Sequence, residues 1–394
     1  MLAKYRVVFS LIIAIFILLF ATVAIFWARG FKPDFRKGKI ERTGLIVASS
    51  IPTGAQVYLD DRLTSATDTN IAFLEPKTYK IRIEKDGYTK WEKDIEVKAD
   101  LAVEIKALLF PTAPEIKPLT TTGASGPTLS PDESKIAYGV SGERGGLYVM
   151  SMDNRPFPFR QNVRLAAKNQ AGFNFSKAKF LWGPDSKQLI AHFLDQEGRS
   201  TANLLIDTDK TEQEPRDITA SLTATLASWQ DEIIARAQTQ AISVPESIKS
   251  ATQAAMPAGT AGGQAAEAQP ADSFQLNYYP TGLIFSPDEE KILFRNNAGK
   301  FKVYDMKNKK EFALPDFSDF ASIAWYPDSN HLVVAQTNII SIIEADGSNK
   351  MTIYSGKFED GFVFAHPSST RLIILTALTQ QEGMPPNLYS INLK

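Results

Sequence analysis

LSPDESKIAYGV, residues 129–140, reads as the end of one β-strand, a tight turn and the start of another. Proline at 131 pre-sets φ for a type I turn, and the short carboxylate of Asp132 can bond nearby backbone N–H groups. Beyond the turn, Ile136, Tyr138 and Val140 fall on one face by alternation. Close variants return down the chain: WGPDSKQLIAHF (182–193), FSPDEEKILFRN (285–296), YPDSNHLVVAQ (326–336) and a worn AHPSSTRLIILT (365–376). The turn residues are Pro131 and Asp132, Pro184 and Asp185, Pro287 and Asp288, Pro327 and Asp328, and Pro367. Successive prolines lie 53, 103, 40 and 40 residues apart, so the 103-residue gap has room for another repeat. ASWQDEIIARA (227–237) sits in that gap with a Trp-x-Asp rhythm and no proline, which makes six repeats.

A period near 40 residues, with turn signals and short apolar strands, predicts a β-propeller of four-stranded blades. In the best-kept repeat, 282–285 is the innermost strand, 291–295 the second, 300–304 the third and 311–314 the outermost. The last repeat has GFVFAH, RLIILTA and NLYSIN but no fourth strand; EIKPLT (115–120) can supply it and remove two open sheet edges. LSPDESKIAYG with LYVMSMD, and FSPDEEKILF with KVYDM, resemble the WD40-like repeats of the periplasmic TolB protein family. That resemblance covers residues 112–394 and implies a six-bladed ring with a non-catalytic binding role.

VVFSLIIAIFILLFATVAIFW, residues 7–27, carries no charge. As a helix it would extend about 31 Å, matching a bilayer core of about 30 Å. The expectation is a single transmembrane helix, with a cleaved signal peptide or a buried helix as rivals. Residues 1–6 would then be a cytoplasmic N-terminus and 28–43 a basic juxtamembrane linker. Lys4 and Arg6 precede the span, whereas Arg29, Lys32, Arg36, Lys37, Lys39 and Arg42 follow it. Those charges favour a cytoplasmic C-terminal side, but long domains translocate largely regardless of charge. Both family resemblances imply extracytoplasmic domains on a bacterial cytoplasmic membrane.

Residues 44–110 alternate apolar and polar side chains in GLIVASS, AQVYLD, YKIRIEKDGY, KWEKDIEVK and LAVEIKALLF, as in a small β-sandwich. Ser50-Ile51-Pro52-Thr53-Gly54-Ala55, Val57-Tyr58-Leu59-Asp60, Leu74-Glu75-Pro76 and Asp86-Gly87-Tyr88 resemble the PEGA domain. Thr53 replaces its eponymous Glu, and Lys77 the usual glycine. The resemblance implies a spacer or attachment module of bacterial envelope proteins.

Composition excludes several functions. Among 394 residues, 43 Lys and Arg face 44 Asp and Glu, so the basic excess of a nucleic-acid binder is missing. Cysteine is absent, which removes disulfides, thiol catalysis and cysteine metal sites. The stretch 155–183 holds Arg155, Arg160, Arg164, Lys168, Lys177 and Lys179 without an acidic residue, interleaved with Phe157, Phe159, Phe173 and Phe175. It is a candidate patch for an anionic ligand, with a solvated loop as the plainer reading. Residues 241–272, rich in Ala, Gly, Gln and Pro, read as a low-complexity loop inserted in the third blade.

No catalytic residue, cofactor or metal is expected. His192, His331 and His366 occupy separate repeats, and Asp60, Asp61 and Asp68 are better turn formers than calcium ligands. The combined expectation is an all-β, membrane-anchored envelope binding or scaffold protein whose partner is an envelope protein or surface glycan. The alternatives are a structural surface-layer component and a propeller-type glycan hydrolase or lyase.

Overall fold

The Ser-Pro-Asp turn is closed by local bonds. Glu133 N–H donates to the Ser130 carbonyl at 2.8 Å, and Asp132 Oδ1 accepts the Ser130 hydroxyl at 2.6 Å and Ser134 N–H at 3.0 Å. Lys135 N–H donates to Ser130 Oγ at 3.0 Å, so serine and aspartate together satisfy the loop. Burial pushes the Asp132 carboxyl up, but bonds from Ser130 and Ser134 outweigh it and hold the group below its ordinary value. In each variant the residue after the aspartate position is left-handed: Glu133, Ser186, Glu289, Ser329 and Ser369 have φ of 58°, 57°, 58°, 60° and 56°.

The computed structural model describes residues 2–28, 31–34, 39–152, 162–252, 274–359, 361–378 and 385–394. Two compact units emerge, Met1–Ala113 and Pro114–Lys394. The α-helices among the described residues are α1 (Leu2–Ala28), α2 (Leu222–Gln240) and α3 (Glu246–Ala251), besides short 3-10 turns.

In Pro114–Lys394 the described residues form five four-stranded antiparallel sheets. The first contains Ser125–Leu129, Lys135–Val140, Gly146–Ser151 and Val163–Lys168. The second contains Lys179–Trp182, Gln188–Leu194, Ser200–Asp207 and Arg216–Asp217. Leu283–Phe285, Lys291–Arg295, Phe301–Asp305 and Lys310–Ala313 make the third, and Phe320–Trp325, His331–Gln336, Ile339–Glu344 and Met351–Ser355 the fourth. The fifth joins Val363–Ala365, Arg371–Thr376 and Asn387–Asn392 to Ile116–Pro118, with Ile116 opposite Ile391 and Pro118 opposite Tyr389. Trp182 Nε1 donates to the Thr128 carbonyl at 3.3 Å and Trp325 Nε1 to that of Ile284 at 3.0 Å, each reaching back to the preceding sheet.

The stretch expected to be the third blade is α2. Leu222, Leu226, Trp229 and Ile233 recur at helical spacing, and this face packs on Ile190 and Leu205 of the second sheet. The segment after it, expected as a loop, begins with a 3-10 turn and α3; Ala241, Val244 and Ile248 are buried on Leu283, Ile292 and Phe294 of the third sheet. Residues 253–272 of that segment lie outside the described residues. Arg236 Nη1 bonds the Pro184 carbonyl at 3.1 Å and Gln240 Nε2 bonds Glu289 at 3.3 Å, so α2 touches the turns of both neighbouring sheets. The expected all-β, six-bladed propeller is therefore corrected: the chain is mostly β with an internal helical segment, and the five sheets that the described residues form in Pro114–Lys394 are not closed into that ring.

The membrane expectation is corrected as well. Residues 2–28 are helical, and the side chains from Phe9 to Ile25 are exposed. Among the described residues, however, no helix is long and apolar enough to cross a membrane. The transmembrane helix at 7–27, the single-span membrane partnership and the bacterial membrane localisation with extracytoplasmic domains are withdrawn with it.

In the Met1–Ala113 unit the described residues form a two-stranded pair, Phe31–Asp34 with Lys39–Arg42, and two larger sheets that pack together. One orders Thr69–Leu74, Gly44–Ile51 and Ala102–Leu108; the other Arg62–Ala66, Gln56–Leu59, Thr78–Glu84 and Trp91–Glu96. Ile46, Val57, Ile81, Ile83, Trp91 and Ile105 form their common core. Gly44–Ile51 pairs parallel to Ala102–Leu108, Leu45 opposite Ala102 and Ile51 opposite Leu108. A Cβ on Gly44 would lie 2.4 Å from the Val97 side chain and 2.5 Å from the Lys98 carbonyl, so glycine is required there.

Candidate binding cleft

In the four-stranded sheet of Met1–Ala113, Gln56 opposite Glu84 is the last rung between Gln56–Leu59 and Thr78–Glu84. Beyond it the two chains part around a cleft of about 700 Å³. One side is Gly54 and Gln56; the other is the run Glu84 to Lys90 with Thr112.

Both sides are held from behind. The Pro52–Ala55 turn rests on a buried network: Ser50 Oγ lies 2.6 Å from Thr67 Oγ1, which accepts Ala55 N–H at 3.0 Å, while Gly54 N–H donates to the Thr67 carbonyl at 2.9 Å. Buried hydroxyls so satisfied fix their backbone instead of destabilising it. The opposite turn closes through Tyr88 N–H to the Lys85 carbonyl at 3.0 Å and is stitched to the following chain by Thr112 N–H to Gly87 O at 2.9 Å and Thr89 N–H to Phe110 O at 2.7 Å. Lys85 Nζ reaches across to the Thr53 carbonyl.

Charges of both signs line the cleft, and most already have partners. Glu84 faces Arg82 Nε at 3.4 Å, Lys90 faces Glu92 at 3.4 Å and Lys85 bonds Thr53. The exposed Asp86 has no hydrogen-bond or ion-pair partner among the described residues. Tyr88 is half-buried and packs on the core of the unit.

Of the six basic residues singled out in the sequence, four lie among the described residues. Arg155 and Arg160 lie outside the described residues. Arg164 Nη1 bonds the Asp209 carbonyl at 3.0 Å and Lys168 Nζ bonds Glu212 at 2.8 Å; Lys177 and Lys179 are exposed. Phe173 and Phe175 point inward, edge-on to Phe193 at centroid distances of 5.2 and 5.5 Å. The three histidines are buried apart: His192 on Asn203, His331 on Asp328 and His366 on Ser368. Asp60 bonds Lys77, Asp61 faces Arg82 and Asp68 accepts Ser50 N–H. Among the described residues no group of three His, Cys, Asp or Glu could hold a metal.

Residues 43–112 match the family model described as the PEGA domain. The whole cleft falls inside that match. No curated protein matches the chain. Among solved structures, the putative TolB of Agrobacterium tumefaciens is 13% identical, covering 69% of this chain and 74% of that one at a TM-score of 0.24. TolB of Acinetobacter baumannii is 11% identical over 86% of this chain and 64% of its own, at 0.23. A chain of the Mitotic Checkpoint Complex is 11% identical over 72% and 93%, at 0.31. Such scores carry no argument, so the expected TolB-type propeller in a membrane-anchored bacterial protein is corrected to a PEGA match with a low-identity likeness to TolB.

The sequence reading missed the cleft. It marked Gly54 and Asp86-Gly87 as turns, but nothing local says that two turns thirty residues apart face each other.

Proposed function

We propose that this chain is a non-catalytic protein-binding component and that its PEGA-type unit makes the contact. The observation that carries the reading is the cleft between Gln56 and the Glu84–Lys90 run, inside the matched segment, with rigid walls and charges of both signs. Clefts with a few fixed polar groups are where proteins usually take ligands. Its side chains offer no nucleophile with an adjacent base, and the chain contains no cysteine. This replaces the envelope scaffold with a propeller as its recognition face, which depended on the withdrawn span and ring.

A photo-crosslinking residue at Gln56 of the full chain, expressed in its own cells, tests this. The expected result is one discrete protein adduct that a crosslinker at Lys310, on the edge of the third sheet, does not give. No adduct at Gln56, or the same adducts from both positions, overturns the reading.

A further inference from the structure

We infer that the cleft docks an extended polypeptide segment of the partner, with a basic side chain seated on Asp86; this rests on the protein-binding reading above. Three of the four charged side chains lining the cleft are engaged within the chain: Glu84 with Arg82, Lys85 with the Thr53 carbonyl and Lys90 with Glu92. Asp86 is the charge left over, exposed and without a partner among the described residues. A carboxylate at the edge of a cleft favours a lysine or arginine side chain, and an arginine can meet it with two parallel bonds.

The shape favours main chain as the rest of the ligand. The rung at Gln56 and Glu84 is the last, so the two strands diverge instead of pairing further. Gly54 and Gly87 line the opening with φ of 73° and 80°, and a Cβ on Gly87 would meet nothing within 4 Å. On the Gly87 rim the bare backbone lets a ligand backbone approach closely, whereas at Gly54 the Lys85 ammonium lies 3.8 Å from where a Cβ would stand, so the peptide runs along the Gly87 side. A glycan is less well served. The aromatic ring lining the cleft is Tyr88, and that ring is packed on the core of the unit instead of lying open as a stacking platform.

The test pans the full chain against a phage-displayed library of random peptides and measures synthetic copies of the enriched peptides by calorimetry. Enriched peptides are expected to share a lysine or arginine, and to bind about threefold more weakly to Asp86→Asn and weaker still to Asp86→Lys, as loss of an exposed ion pair does. Lys310→Glu, remote in sequence and on the other unit, should leave binding unchanged. Enriched peptides that bind Asp86→Lys as well as the wild type overturn the docking site while leaving protein binding intact. So does calorimetric binding of chitotetraose that Asp86→Lys abolishes, together with an absence of peptide binding at the cleft. No enrichment, with no Gln56 adduct, removes both conclusions.

Discussion

Ser186 Oγ accepts the backbone N–H of Asp132 at 3.1 Å, binding the turn of the first sheet to the turn of the second. The bond recurs where Ser329 Oγ accepts Asp288 N–H at 3.0 Å, from the third sheet to the fourth. Both serines are buried, so truncation leaves an amide without its acceptor. Ser186→Ala and Ser329→Ala should each destabilise Pro114–Lys394 by about 1 kcal/mol, read as a lower urea midpoint. Unchanged midpoints would make these bonds incidental.

Glu133 sits in a left-handed turn position where burial, then repulsion from Asp132, pushes its carboxyl up to about 7. The folded state therefore holds the proton more tightly than the unfolded chain, whose ordinary value is 4.5. Its contribution is complete below that value and is lost as pH rises through 7. Glu133→Gln should match the wild type in thermal midpoint near pH 4.5 and exceed it at pH 8. Parallel profiles would show that the carboxyl is not perturbed.

His366 takes the place of the turn serine in the fifth sheet. Its Nδ1 accepts the Ser368 N–H at 3.2 Å and lies 2.7 Å from Ser368 Oγ, reversing the usual serine-to-aspartate bond. Burial, then the charge of Arg371, pushes the imidazole down to about 4 from 6.5. The neutral ring's contribution is complete above 6.5 and is lost as pH falls toward 4. The double change His366→Ser with Ser368→Asp restores the common turn. It should flatten the decline in stability between pH 6.5 and 4; an equally steep decline would assign that loss elsewhere.

Gly183 stands where two of the other turns have serine, and α2 explains the departure. A Cβ there would lie 3.0 Å from the Trp229 ring and 3.2 Å from Asp185 Oδ1. Gly183→Ser should cost about 1–3 kcal/mol through overcrowding. Pairing it with Trp229→Leu should recover part of that loss on urea titration, since the ring is the obstacle.

Much of the sheet structure is legible in the sequence because it is local. Serine, proline and aspartate close the turn with their own atoms, and the strands that flank it alternate. The missing fourth strand of the fifth sheet is legible too, in that EIKPLT precedes the first repeat and Ile116 pairs with Ile391. The helical segment is not, because Trp229-x-Asp231 imitates the repeat while the face that decides the structure, Leu222, Leu226, Trp229 and Ile233, has the period of a helix. An apolar run such as 7–27 reads as a span on composition alone, yet the described residues contain no helix that meets that requirement. The cleft is invisible for another reason: it arises where Gln56 and Glu84 stop pairing, a property of register and not of either segment.

The pairing of Ile116–Pro118 with Asn387–Asn392 also sets the order of events during synthesis. A nascent chain can close its earlier hairpins as they leave the ribosome, but the fifth sheet stays incomplete until residues 387–392 have left it too. Until then Ile116–Pro118 lacks the strand it pairs with, and non-local contacts of this kind form late. Translation arrest shortly before that point should thus leave Arg371–Thr376 of the fifth sheet without its Asn387–Asn392 partner, read as faster proteolysis of that strand than in the finished chain.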